Sequence, residues 1–158
     1  MPTKKPSLYL VSILLLTLIL PIAFILFQWL ISKVPFGWLL IGKWYVFWAV
    51  GIRLFIAGVR QVTKPAFTAK EIFHIEDEAS YVVIKELGFG NISLGVIGIL
   101  SLFKTGWCTP AAVAGGLFYG FAGIQHILNK PVSKNEKIAM VSDLYIFLVL
   151  ALYAVFTL

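Results

Sequence analysis

Charge is scarce in this chain. Only 13% of its 158 residues are Asp, Glu, Lys or Arg, while 60% are hydrophobic and the mean hydropathy is +0.95. A soluble domain carries about 25% charged and roughly 45–50% apolar residues. So little polar surface cannot cover a water-soluble globule, which leaves an integral membrane protein. The single cysteine, Cys108, excludes an internal disulfide and a CxxC redox pair. With two histidines in all, a Cys/His zinc site is excluded as well. No nucleophile constellation or bis-His haem spacing occurs. The sequence therefore assigns no catalytic residue, no metal and no cofactor, and it leans away from an enzyme.

What is present is a series of long apolar runs. A spanning helix needs about 20 mostly apolar residues. Five stretches qualify, at about 8–32, 36–59, 79–103, 108–129 and 138–158. The expected fold is an all-α membrane bundle forming one domain over residues 1–158, with no strong internal repeat. The first run is about twice the length of a signal-peptide h-region and has no A-x-A-type site after it, so it reads as a retained span. Pro21 inside it predicts a kink, which membrane helices tolerate. The second run, with Lys43 and Arg53, is the weakest of the five; the alternative is four spans plus an interfacial helix.

The net charge of +6 follows the rule that cytoplasmic loops retain Lys and Arg. With five spans and a cytoplasmic N-terminus, Lys4, Lys5, Arg60, Lys64, Lys70, Lys130, Lys134 and Lys137 fall inside, against Lys33 and Lys104 outside. That bias favours five spans in the inner (plasma) membrane, and no basic soluble domain remains to bind nucleic acid. The one sizeable loop, 60–78, mixes Phe67, Ile72, Phe73 and Ile75 with charges, as a segment lying on the cytoplasmic headgroup surface does. Within it His74, Glu76, Asp77 and Glu78 make a weak metal motif. The acidic run suits instead the positive N-terminal end of the following helix.

Polar residues inside the spans carry the functional expectation. Counted from the expected helix ends, Arg53, Glu86, Gln125, His126 and Asp143 reach one level in the inner leaflet. A charge facing lipid at that depth costs about 2.5–3.5 kcal/mol on insertion scales, so such groups turn inward and pair. Two readings follow. Arg53 with Glu86 or Asp143 makes an ion-pair staple, or the group lines a polar pocket for a headgroup or a proton relay, with His126 as the proton carrier. In the third span Gly88, Asn91, Gly95 and Gly98 fall on one stripe, the small-residue seam of close helix contact, and Glu86 lies opposite. That helix is therefore expected to be central, or to turn Glu86 into a cavity. In the fourth span Ala112, Gly116, Gly120 and Gly123 repeat the device, flanked by Tyr119 and His126, and the two seams are expected to pack on each other or to serve a homo-oligomer.

Three runs, E-L-G-F-G-N-I-S-L-G-V-I-G at 86–98, G-G-L-F-Y-G-F-A-G-I-Q-H at 115–126 and N-E-K-I-A-M-V-S-D at 135–143, resemble a family of small bacterial and archaeal membrane proteins, domain of unknown function 6790. The matching pieces extend from about Ile52 to Phe147, with the first helix peripheral. The resemblance implies that Glu86, Asn91, His126 and Asp143 occupy the family's polar positions. Asn135-Glu136-Lys137 departs from its small, Gly-rich turn. More loosely, the architecture is similar to DoxX-like, quinone-linked membrane proteins.

The functional expectation is an inner-leaflet site, drawn from Glu86, Asn91, His126, Asp143, Arg53 and Gln125, that binds or transports a small molecule or lipid-like ligand. Membrane lipids are the expected partners. The alternatives are a structural or assembly subunit and a quinone-linked redox accessory protein.

Overall fold

Local stop and start signals set the helix ends. In the computed structural model, which describes residues 8–131 and 133–158, five helices are long and apolar enough to cross a membrane. They are α1 (Leu8–Leu30), α2 (Trp38–Thr63), α4 (Ser80–Leu100), α5 (Cys108–Leu128) and α6 (Lys134–Thr157), with a short surface helix α3 (residues 65–72) between α2 and α4. The chain is an integral membrane bundle, and no strand occurs among the described residues.

α2 runs four residues past its expected end at 59. Arg60, Gln61 and Thr63 end the apolar run, yet the chain stays helical through Thr63, and only Pro65 stops the helix. A residue before proline is driven out of the α region, and Lys64 takes φ −138°, ψ 64°. α6 starts four residues earlier than expected because Ser133-Lys134-Asn135-Glu136 is a capping box. Ser133 Oγ accepts from the Glu136 N–H at 3.1 Å, and Glu136 Oε2 accepts from the Ser133 N–H at 3.0 Å. The expected loop 60–78 thus holds the last turn of α2, α3 and a short linker. On that surface Lys70 pairs with Glu76 at 3.2 Å, and this hydrogen bond holds the Lys70 ammonium pKa above its ordinary value.

α1 continues as helix through Pro21. The helix widens into a π-type turn at Leu15–Ile19, where the Leu20 N–H reaches back to the Leu15 carbonyl, just before the proline removes a donor. α2 has a matching wide turn at Val46–Arg53, and the two wide turns pack on each other.

α2, the span made doubtful by Lys43 and Arg53, is the central helix. Half of its most apolar window is buried, against 28% for α1 and α4. Its Leu40, Trp44, Val46, Ala49, Val50 and Leu54 make the core with Ala111, Ala112 and Tyr119 of α5 and Ile146, Leu150 and Tyr153 of α6. A helix surrounded by protein can carry an ionised side chain against partners on its neighbours, which is how α2 accommodates Arg53.

The expected pairing of the two glycine seams is corrected. The α4 stripe packs on α2: a Cβ on Gly58 would stand 2.5 Å from the Gly88 carbonyl, one on Gly95 2.6 Å from the Phe55 nitrogen, and one on Gly98 2.5 Å from the Gly51 nitrogen. The α5 seam instead receives side chains of α6, with Leu150 on Gly116, Phe147 on Gly120 and Leu144 on Gly123. α2 supplies Gly51 and Gly58, so its backbone can approach α4 where that of α5 cannot. As a result α4 lies at the edge of the bundle with Glu86 facing outward, neither central nor lining a cavity.

Candidate functional site

Seven residues beyond Val46, at the close of its wide turn, α2 presents Arg53. The guanidinium donates from Nη2 to Asp143 Oδ1 of α6 at 2.7 Å and to Ser142 Oγ at 3.0 Å. It also lies over the Tyr119 ring of α5, 4.8 Å from the centroid, and the Tyr119 hydroxyl donates to the Ala49 carbonyl at 2.6 Å. Arg53 and Asp143 are 8% and 7% exposed, so this is a dry pair joining three helices. Arg suits the place because its flat fork donates and stacks at the same time. Its Nη1 is buried without a hydrogen-bond partner among the described residues. Ser142 donates onward to the Ala139 carbonyl at 2.9 Å, so it is satisfied on both sides.

The other expected site residues do not close around this pair. The contacts of Gly123 with Leu144 and Gly120 with Phe147 set His126 level with Val141, half-buried and within electrostatic reach of Asp143. Gln125 is exposed and donates to Asn129 Oδ1 at 3.2 Å. Asn91 is buried on the α2–α4 seam, donating to Gln61 Oε1 at 2.8 Å, and its own Oδ1 has no partner among the described residues. Glu86 departs furthest. With Gly58 beside Gly88 and Gly51 beside Gly98, Arg53 is level with residues near 96 and Glu86 with Thr63. Ten residues at 1.5 Å each separate those levels by about 15 Å. The expectation of one shared level rested on an α2 that stops at 59.

Three polar contacts had no counterpart in the sequence reading. Gln28 Oε1 accepts from Lys43 Nζ at 3.2 Å and Trp44 Nε1 at 3.1 Å, so Lys43 of the second span is bonded to α1. The Tyr45 and Tyr145 hydroxyls bond each other across α2 and α6. His74 Nε2 meets Glu136 Oε2 at 3.0 Å, clasping the linker before α4 to the first turn of α6.

Ser142 also lines a groove of about 510 Å³ between α1 and α6. This lies within the roughly 300–1,000 Å³ range of small-molecule sites. Leu10, Ile13, Leu14, Thr17 and Leu18 form the α1 wall. From α6 come Ile138, Val141, Ser142 and Tyr145, with Lys134 and Lys137 at the α3 end. Its residues follow the helical three-and-four spacing on both helices, so the groove runs parallel to the helix axes. The sequence reading passed over it because no polar motif marks it; Ser142, beside Asp143, was the one available signal.

The family model that matches this chain, described as "Family of unknown function (DUF6790)", covers residues 11–158. The chain belongs to that family. The match takes in nearly all of α1, so the first helix is not peripheral to it, and α1 is the helix that supplies one wall of the groove. No curated protein and no solved structure matches the chain significantly. Among the described residues no group of three or more His, Cys, Asp or Glu side chains could hold a metal ion.

Proposed function

We propose that this membrane protein binds a lipid-like amphiphile in the inner leaflet, in the groove between α1 and α6, with the N-terminus cytoplasmic. The observation that carries the reading is the groove itself. Aliphatic side chains wall it on two helices, a hydroxyl from Ser142 sits in the α6 wall, and two lysines stand at one end. An acyl chain entering from the leaflet is already out of water, so it gains van der Waals packing against these walls, and the ordered amphipathic gradient gives it an orientation.

In this reading Arg53, Asp143 and Tyr119 hold the bundle together and set the position of Ser142; they do not touch the ligand. The assembly-subunit alternative draws on the same closed pair, but it gives the groove no role. Glu86, Gln125 and Asn91 stand outside the binding site, and His126 borders the staple from the α5 side.

The test is photolabelling of the purified protein in lipid nanodiscs with an uncharged, diazirine-bearing acyl probe, read by peptide mass spectrometry. Labels are expected on residues 10–18 and 138–145, and Val141→Trp, which fills the groove, should remove them. Labels spread evenly over the lipid-facing sides of α4 and α5, unchanged by Val141→Trp, would refute the reading.

A further inference from the structure

The groove has a depth as well as a width. From Lys134 to Tyr145 it follows eleven residues of α6, roughly 16 Å of helix rise, which is about half of a 30 Å hydrocarbon core. It therefore opens at the bilayer surface and ends near the midplane, the reach of one leaflet's acyl chain. A polar ligand from the cytosol would use the mouth and leave the walls empty. A molecule of the surrounding leaflet uses both.

The mouth is basic on one side and has no acidic lining among the described residues. Lys134 and Lys137, three residues apart on one face of α6, are both exposed, and neither makes an ion pair among the described residues. The nearest carboxylate in sequence, Glu136, is 7% exposed and is turned to the Ser133 N–H and to His74. Glu136 is thus engaged elsewhere, and no carboxylate lines the groove among the described residues.

On the groove reading above, we infer that the occupant is an anionic glycerophospholipid of the inner leaflet, held with its phosphate at Lys134 and Lys137 and an acyl chain against Ile138, Val141 and Leu14. Nearness to an anionic membrane surface is worth about 1 kcal/mol per lysine, or about fivefold in affinity each. Ser142 and Thr17 lie too deep for the headgroup; they face the upper acyl or ester region.

The experiment is competitive lipid binding to the intact protein by native mass spectrometry, comparing phosphatidylglycerol with phosphatidylcholine of the same acyl chains. Wild type should prefer the anionic lipid by about 25-fold, the product of the two lysines. Lys134→Gln with Lys137→Gln should reduce that preference to twofold or less, while the uncharged acyl probe still labels the groove. Lys64→Gln with Lys130→Gln, which removes surface charge away from the groove, should leave the preference intact.

Equal binding of both lipids, with groove labelling retained, overturns the headgroup assignment alone. Failure of the acyl probe to label the groove overturns the binding reading beneath it. A preference that survives Lys134→Gln with Lys137→Gln places the phosphate elsewhere and also overturns the inference. Displacement of the lipid by millimolar inorganic phosphate would show that the lysines take a free anion, and would overturn a leaflet source.

Discussion

Removing one charge of the Arg53–Asp143 pair should be far more damaging than removing both. In Asp143→Leu the guanidinium keeps only Ser142 Oγ at 3.0 Å and the Tyr119 face at 4.8 Å, in a site where the arginine is 8% exposed. Two opposite charges about 4 Å apart interact by about 4 kcal/mol at an effective dielectric of 20. The remaining ring contact is worth about 2 kcal/mol in a desolvated site. A one-sided loss from a buried pair costs about 3–5 kcal/mol in general, and both estimates agree here. Arg53→Met with Asp143→Leu leaves no orphan charge, and Ser142 keeps its bond to the Ala139 carbonyl. The double variant should therefore lie within about 1 kcal/mol of wild type, so that the two substitutions couple by 3 kcal/mol or more. Unfolding in mixed dodecyl sulfate micelles, followed by circular dichroism, measures all four corners of the cycle. A cost below 1 kcal/mol for Asp143→Leu would refute the buried pair. A double variant that stays as unstable as the single ones would refute the claim that mutual neutralisation is its main role. Groove labelling that persists in the folded double variant would separate the staple from the ligand site.

Other outcomes follow from the same geometry. Gly58→Ala puts a Cβ 2.5 Å from the Gly88 carbonyl, where backbone meets backbone and cannot yield; it should cost about 2–3 kcal/mol in the same unfolding titration. Gly90→Ala, with open space around its Cβ, should stabilise α4 by up to about 1 kcal/mol. In a Cys108→Ala background, cysteines placed at Lys33 and Lys104 should react with an impermeant maleimide from outside intact cells, and those at Lys64 and Lys130 should not; the reverse pattern would invert the proposed topology. Lys4 and Lys5, which also enter the charge count, lie outside the described residues. His74→Ala removes a half-exposed clasp on Glu136 worth about 0.5–1 kcal/mol and should speed amide exchange two- to fivefold at residues 73–79 and in the first turn of α6.

The spans and one face of α4 were legible because both rest on period and composition. Gly88, Asn91, Gly95 and Gly98 are all buried on the stripe expected for them. The partner of that stripe was not legible, since α2 and α5 both offer small residues. Gly51 and Gly58, seven apart on one face of α2, were the signal that decides it. The capping box at Ser133 was also readable, but hydropathy alone places the start of α6 after Lys137. The groove was marked in the sequence by little more than Ser142, because it comes from how two apolar helices sit side by side rather than from a polar motif.

The glutamate in α4 shows how a small boundary error propagates into a functional claim. Placed six residues into an apolar helix, Glu86 looks like a buried charge that must be paired. The α2–α4 register changes its surroundings: Gly88 lies between Gly58 and Gln61, so Glu86 stands beside the last turn of α2, at Thr63. α2 has 26 residues, about 39 Å of helix, some 9 Å more than the hydrocarbon core can cover. Its terminal turns must extend into the headgroup region, and those at the α3 end take Glu86 with them. Glu86 and Lys85 are both exposed there, where water and headgroups solvate them and the 2.5–3.5 kcal/mol penalty of the bilayer centre does not apply. Arg53, about 15 Å deeper by the same register, does meet that penalty, and it alone of the two has a carboxylate against it. The close glycine contacts between α2 and α4 thus decide which charge needs a partner, and that charge is the arginine of α2.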